Sequence, residues 1–202
     1  MKKRVLSEKT VDPDPFVQFG EWYQEHLESG IDIPDTVSLG TASRAGRVSV
    51  RTVLLKGYDA NGFVFFTNYN SKKGIQLSEN HSAAMLFYWP ESGRQVRIEG
   101  ITEKVTDKES VSYFRTRPLD SQLSAWASEQ SSVIPDRLYL EKRHDLYKEE
   151  FKNREVEKPP HWGGFRLIPD HFEFWLDGEF RLHDRIVYTK VKDGWSITRL
   201  AP

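Results

Sequence analysis

The chain has 202 residues, of which 38% are hydrophobic and 13% aromatic, so it is long enough for one domain with a substantial core. Its formal net charge of −1 argues against a protein that coats nucleic acid by bulk electrostatics. The chain has no cysteine, which excludes disulfides and cysteine-ligated metals, and it has no apolar run long enough to span a membrane.

The N-terminal part predicts an arm followed by a helix. Residues 1–13 have little apolar content, so we expect a flexible arm and then a single domain over residues 14–202. The basic start is not followed by an apolar segment, so we expect no signal peptide and a cytoplasmic location. Asp14 and Pro15 are typical of a helix start, and Gly30 suits its end. Apolar side chains lie between them at helical spacing: Phe16, Phe19, Tyr23 and Leu27.

A β-rich stretch comes next, and further helices interrupt it. Ser71 predicts the cap of a short helix through Asn80, and Thr106 with Glu109 forms a capping box for a helix to about Arg117. Another helix is predicted from residues 135–136 to about Lys152. The predicted strands cover residues 36–42, 47–56, 63–68, 83–89, 95–105, 165–168, 172–176, 181–189 and 195–200. Many strands with a few inserted helices predict a mainly β, barrel-like domain of the α+β class.

The most informative segment is R-L-H-D-R near the C-terminus. In an extended strand, Arg181, His183 and Arg185 would stand on one face, because side chains alternate with period two. Two cations beside an imidazole favour an anionic or electron-rich ligand. A solvated strand face with a chance cluster is the alternative.

Two further segments place cations where they could bind phosphate. Arg51 and Lys56 bracket an apolar strand, on opposite faces if the strand is regular. Lys72 and Lys73 lie in a predicted first helical turn, where backbone N–H groups favour anions. Each segment taken alone also fits an ordinary solvated surface.

Tyr113, Arg117 and Ser121 could form a phosphate clamp at the end of a helix, since Tyr113 and Arg117 are four residues apart. Gln130 and Ser131 lie in a polar loop that is weak evidence by itself. The histidines show no metal-ligand spacing, so we expect no metal site. Walker, Rossmann and serine-hydrolase motifs are also missing from the sequence.

Together these segments resemble the pyridoxine (pyridoxamine) 5′-phosphate oxidase family. The resemblance extends from about Asp14 to Pro202. It rests on an ordered set of motifs: R-T-V-L-L-K, F-F-T-N, S-K-K-G, F-Y-W, R-Q-V-R-I-E-G, Y-F-x-x-R-P-x-x-S-Q, Q-S-S, W-G-G-F, E-F-W, R-L-H-D-R and R-L-A-P.

The resemblance implies a split β-barrel that binds FMN at a homodimer interface, and a pyridoxal 5′-phosphate synthase activity. Pyridoxine or pyridoxamine 5′-phosphate would lose hydride from C4′ to the flavin, and dioxygen would reoxidise the flavin with release of hydrogen peroxide. Neither nucleic acid nor a membrane is an expected partner.

The resemblance also implies site residues. FMN contacts are expected at Arg51, Val53, Leu54, Lys56, Phe66, Thr67, Lys72, Lys73, Gln95, Gln130, Ser131, Trp175 and Arg185. Substrate contacts are expected at Lys56, Tyr113, Arg117, Ser121, Arg181 and His183, and the last two are the expected catalytic residues.

Two departures from the family pattern stand out. Many members have Arg-Lys at the positions of Lys72 and Lys73, and lysine keeps the charge but not the bidentate geometry. Some members carry an N-terminal Arg-x-x-Tyr segment that folds over the substrate, so we expect either that this lid is missing here or that another residue replaces it. The alternatives kept open are a relative that oxidises another ring, as in phenazine biosynthesis, a non-catalytic carrier of FMN or pyridoxal phosphate, and a structural or nucleic-acid-binding protein.

Overall fold

The computed structural model describes residues 5–202. Within that range the helices are α1 (Pro15–Leu27), α2 (Lys72–Glu79), α3 (Asp107–Thr116), α4 (Leu119–Ala127) and α5 (Arg137–Glu150). The strands are β1 (Thr36–Ala42), β2 (Val48–Leu54), β3 (Gly57–Asp59), β4 (Gly62–Asn68), β5 (Ser82–Trp89), β6 (Arg94–Lys104), β7 (Trp162–Leu176), β8 (Asp184–Val191) and β9 (Gly194–Arg199). No helix in the described range is long and apolar enough to cross a membrane.

The strands form one antiparallel sheet in the order β2-β1-β5-β6-β7-β4-β3, and β8 and β9 extend it from the second half of β7. The sheet curls until its two ends meet, because the backbone N–H of Lys56, just after β2, donates to Val64 O of β4 at 2.8 Å. This closure places the end of β2 beside β4, which creates the cleft described below.

The core fills the inside of the curl, where alternate residues of each strand point inward. Helix α1 covers it with Phe19, whose ring lies 4.9 Å from Phe63 and 5.0 Å from Phe87. A smaller apolar cluster lies beneath α3, α4 and α5 and includes Phe114, Leu123, Phe151 and Trp162.

The helix starts predicted from capping residues are confirmed. Asp14 accepts a hydrogen bond from Phe16 N at 2.8 Å and so caps α1, while Ser71 caps α2 and Asp136 caps α5. Thr106 and Glu109 form the reciprocal capping box of α3. The mainly β architecture with added helices is also confirmed.

Several elements differ from the prediction, among them the short strand β3, which was not predicted. Helix α4 was not predicted, because Pro118 reads as a helix break; it instead precedes the first turn of α4 with an extended backbone. The predicted strands 165–168 and 172–176 are parts of one long strand, β7. Pro169 is tolerated within it because β6 has a register shift between Glu99 and Gly100 at that level.

Residues 5–13, expected as part of a flexible arm, pack against the sheet, while residues 1–4 lie outside the described range. Leu6 and Val11 are buried, and Leu6 N donates to Asp184 Oδ2 at 3.0 Å. Tyr188 donates its hydroxyl to Asp12 O at 2.6 Å. Both apolar contacts and hydrogen bonds therefore hold this segment against the domain. The division of the chain at residue 14 stays a prediction.

Candidate active site: a basic cleft and a second cluster

A cleft of about 440 Å³ opens where the end of β2 meets β4, beneath α3 and α4. This volume falls within the range of roughly 300–1,000 Å³ that is typical of small-molecule sites. Nine of the expected site residues line it: Val53, Leu54, Lys56, Phe66, Thr67, Lys73, Tyr113, Arg117 and Gln130. Segments that are far apart in sequence are therefore brought together in one cavity.

Lys73 and Arg117 bring positive charge to the cleft, and no Asp or Glu of the described chain lines it. Lys73 Nζ donates to Gln130 Oε1 at 2.8 Å and to Thr67 Oγ1 at 2.9 Å, both neutral acceptors. Burial and, to a smaller extent, the neighbouring Arg51 lower the pKa of Lys73 to about 8. A half-buried cation in this state is stabilised by an anion, so the geometry fits a phosphate group.

Arg51 lies beside Lys73 and is also held by neutral groups. Its Nη1 donates to Leu39 O at 3.0 Å and to Thr41 Oγ1 at 2.6 Å. Burial lowers the pKa of Arg51 as well. Lys72 is exposed, and its backbone N–H donates to Ser131 Oγ at 3.2 Å, which holds the Gln130–Ser131 loop at the start of α2.

Arg117 provides a second basic group in the cleft. Its guanidinium lies 4.8 Å from the centre of the Trp162 ring, and its buried Nη1 has no hydrogen-bond partner in the described chain. Burial lowers the pKa of Arg117, whereas Tyr113 raises it. The Tyr113 ring stacks on Phe66 with centroids 4.0 Å apart. An unpaired buried donor next to a phenol favours a second anion here.

Lys56 and Ser121 differ from Lys73, Arg51 and Arg117, the cations without a carboxylate partner in the described chain. Lys56 lines the cleft but is already paired with Asp35. Ser121 lies in the first turn of α4 and does not line the cleft, although Ser124, one turn later, does. The roles of both residues stay predictions.

The remaining expected residues form a second cluster at the other end of the sheet. Gln95 of β6 is paired with Trp175 of β7, which is paired with Arg185 of β8. The His183 ring lies 4.6 Å from that of Trp175, and Gly178 N–H donates to His183 Nδ1 at 3.1 Å. His183 Nδ1 also lies 3.0 Å from Asp177 Oδ1.

The predicted row of Arg181, His183 and Arg185 on one strand face is wrong. Strand β8 begins only at Asp184, and Arg181 lies in a 3₁₀ turn over residues Glu179–Arg181. Phe180 and Arg181 have positive φ angles of 57° and 63°, which cost free energy in residues other than glycine. The turn exposes Arg181 separately from the other two side chains.

The two clusters are far apart on one chain. Trp162, at the cleft, and Trp175 are 13 residues apart on β7, which corresponds to about 40 Å along an extended strand. None of Gln95, Trp175, Arg181, His183 or Arg185 lines the cleft. The two clusters therefore do not share one cavity in the described chain.

Sequence reasoning missed several residues that line the cleft, chiefly Trp162. The W-G-G-F motif was the available signal. A Cβ on Gly164 would lie 2.8 Å from Phe66 Cε1, so this glycine leaves room for the aromatic stack. The others are small or polar residues without a recognisable pattern: Thr52, Asn68, Ser124, Ala125 and Ser128.

The chain is similar to known proteins over nearly its whole length. A family model described as pyridoxamine 5′-phosphate oxidase matches residues 23–148, and one described as the pyridoxine 5′-phosphate oxidase C-terminal dimerisation region matches residues 162–202. A pyridoxine/pyridoxamine 5′-phosphate oxidase of Burkholderia thailandensis is 52% identical over 200 residues, which cover 98% of this chain and 93% of that protein. The protein of the same name from Nostoc sp. is 48% identical over 198 residues, covering 98% of this chain and 92% of that protein.

Solved structures support the fold. PhzG from Burkholderia lata, in complex with tetrahydrophenazine-1-carboxylic acid, superposes with a TM-score of 0.91 at 28% identity and covers 98% of both chains. A pyridoxamine 5′-phosphate oxidase-related, FMN-binding protein from Nostoc punctiforme has a TM-score of 0.71 at 18% identity and covers 93% of this chain and 97% of its own. The split β-barrel class expected from the sequence is confirmed at the level of fold.

Proposed function

The chain belongs to the pyridoxamine 5′-phosphate oxidase family, and we propose that it oxidises pyridoxine 5′-phosphate and pyridoxamine 5′-phosphate to pyridoxal 5′-phosphate. FMN is the proposed cofactor and dioxygen the proposed electron acceptor, with hydrogen peroxide as by-product. When bound, FMN supplies the hydride acceptor and passes the electrons to dioxygen.

The observation that carries this proposal is a set of half-buried cations, in or beside the cleft, that have no carboxylate partner in the described chain. Lys73, Arg51 and Arg117 all have pKa values lowered by burial, so the protein without ligand holds positive charge at a cost in free energy. A phosphorylated cofactor and a phosphorylated substrate would each offset part of that cost.

The cations fall into two groups, which suits two phosphates. Lys73 and Arg51 lie together at the start of α2, where we place the FMN phosphate with Lys72 and Ser131. Arg117 lies with Tyr113 at the opposite wall, where we place the substrate phosphate with Lys56 and Ser121. Phe66 and Trp162 provide apolar surface between the two groups.

We propose that the site is completed in a homodimer. The second cluster lies within or against residues 162–202, the part that matches the dimerisation region. Trp175, Arg185 and Gln95 of one copy would then contact the flavin held in the cleft of the other. Arg181 and His183 would orient the substrate, with Arg181 exposed on its turn and His183 held through Nδ1. Exposed Phe180 and Leu182 beside them suit a surface that a second copy covers.

A second candidate function is the oxidation of a non-phosphorylated tricyclic acid. The observation that favours it is the TM-score of 0.91 with PhzG, a structure solved with a tetrahydrophenazine carboxylic acid. The unpaired Arg117 Nη1 can bind a carboxylate as well as a phosphate. The two candidates therefore differ in substrate rather than in cofactor.

Aerobic turnover of pyridoxine 5′-phosphate by the purified protein with added FMN tests the proposal. Pyridoxal 5′-phosphate and hydrogen peroxide are measured together, and equal amounts of both are expected. Unphosphorylated pyridoxine is the matched control and should react far more slowly. If flavin binds but neither product forms, the vitamin substrate is wrong, and a tetrahydrophenazine carboxylic acid is tested next.

A further inference from the structure

We propose that Glu173 is a positioning residue that orients the Arg185 guanidinium toward the flavin. This inference rests on the proposed function, because it assigns Arg185 to the flavin site. Glu173 belongs to the E-F-W segment of β7, and no flavin contact is expected from its own side chain.

Glu173 is a buried carboxylate on the outer side of the sheet. Its side chain is only 2% exposed. Its cross-strand partners are Arg97 on β6 and Val187 on β8, and neither belongs to the central core cluster. A carboxylate is costly to bury unless both oxygens face positive charge. Here Oε1 lies 2.6 Å from Arg185 Nε, and Oε2 lies 2.8 Å from Arg97 Nη2.

The two partners have different contacts with Glu173. Arg185 Nε makes an aligned hydrogen bond with Oε1, and this bond raises the pKa of Arg185. Arg97 is within ion-pair distance of Oε2 but outside hydrogen-bond geometry. Arg97 therefore balances the charge of the Glu173 carboxylate, whereas the hydrogen bond to Arg185 fixes the orientation of its guanidinium.

The anchored Arg185 has one edge left for a ligand. Nε is bound to Glu173, and Nη1 donates to Ala201 O at 2.8 Å. A guanidinium is planar, so fixing two nitrogens fixes the third. In the described chain Nη2 has no hydrogen-bond partner, and its two N–H groups are available to an acceptor on the flavin.

Glu99 offers a matched control on the same surface. It lies 2.8 Å from Arg97 Nε through Oε1 and carries the same charge, but it is 46% exposed and does not contact Arg185. The four side chains form an alternating row, Glu99–Arg97–Glu173–Arg185, in which only Glu173 touches the predicted flavin residue.

The test is a double-mutant cycle read out as the dissociation constant of FMN, from quenching of flavin fluorescence at dimeric protein concentrations. Glu173→Gln keeps the side-chain volume and removes the charge, and we expect FMN to bind roughly tenfold more weakly, as for loss of one charge-assisted interaction. Arg185→Gln should have an effect of similar size. If Glu173 acts through Arg185, the double variant binds FMN no more weakly than Arg185→Gln alone.

Glu99→Gln should leave the dissociation constant within about twofold of the parent. If the increases in the FMN dissociation constant from the two single variants multiply in the double variant, the positioning role is wrong. The oxidase proposal would not be affected. Failure of the parent protein to bind FMN at all would overturn both. If Glu173→Gln does not fold by circular dichroism, Glu173→Asp takes its place: it should weaken FMN binding in the parent and have no effect when Arg185 is already Gln.

Discussion

Replacing Lys73 by Met should weaken FMN binding without destabilising the protein. Lys73 Nζ is held by Thr67, Ser71 and Gln130, and no carboxylate in the described chain lies within ion-pair distance of it. Hydrogen bonds to charged groups contribute about 1.5–3 kcal/mol. Loss of the contact with a phosphate therefore predicts a dissociation constant higher by roughly 10- to 150-fold.

Lys73→Met should not lower the free energy of unfolding of the FMN-free protein in the way that it weakens FMN binding. The pKa of Lys73 falls from 10.5 to about 8 in the folded protein, so the unfolded chain binds more protons between these values. This group therefore lowers the free energy of unfolding below about pH 8, and the loss disappears as the pH rises toward 10.5. Lys73→Met removes that cost, so the thermal midpoint at pH 7 should not drop by more than about 4 °C, the change expected for roughly 1 kcal/mol.

FMN affinity should depend on pH for the same reason. Above about pH 8 the free protein loses the Lys73 proton, which a bound phosphate dianion would restore, so the affinity of the parent should fall as the pH rises. Fluorescence titrations between pH 7 and 10 compare the parent with Lys73→Met, and Lys152→Met is a control at an exposed, paired lysine. An unchanged dissociation constant, or the same pH profile in parent and variant, would refute the reasoning.

Four further predictions follow from the geometry. Arg117→Lys should raise the KM for pyridoxine 5′-phosphate about tenfold and leave the dissociation constant of FMN unchanged, because lysine loses the planar fork that lies over Trp162; a weaker FMN complex would contradict the assignment. Arg181→Leu should lower turnover strongly while absorbance spectra still show bound FMN, and loss of flavin would argue against a substrate role. Gly178→Ala should lower turnover in a folded protein, because its Cβ would clash with Leu182 O and displace the turn; full activity would show that the turn tolerates the change. Dilution below the dimer dissociation constant should release FMN, as followed by sedimentation and fluorescence, whereas a monomer that retains flavin would exclude a shared site.

Local sequence signals predicted most of the elements because short-range physics decides them. Ser71 and Thr106 cap helices through hydrogen bonds to residues three positions away, so their role can be read from the sequence. Helix α4 was missed because Pro118 can either end one helix or precede the next, and only burial of Leu123 in the cluster beneath it decides between the two.

The site residues were predictable by type but not by arrangement. Lys73 and Arg117 were recognisable as candidate phosphate ligands, and the cleft brings them together with Phe66 and Gln130. The turn that carries Arg181 was not predictable, because its positive φ angles depend on contacts such as Gly178 N–H to His183 Nδ1. A regular strand was the simplest expectation for an alternating pattern, and tertiary packing overrode it.

The distribution of carboxylates explains how a protein with almost no net charge can present a strongly basic site. Two buried or half-buried arginines elsewhere have acidic partners: Arg94 with Glu25, and Arg166 with Asp59 and Glu109. Lys73, Arg51 and Arg117 have no such partner in the described chain, and burial lowers the pKa of each. Adding a carboxylate beside any of them would restore its ordinary pKa and remove the reason to bind a phosphate. The proposed selectivity for phosphorylated ligands would therefore depend as much on where acidic residues are left out as on where basic residues are placed.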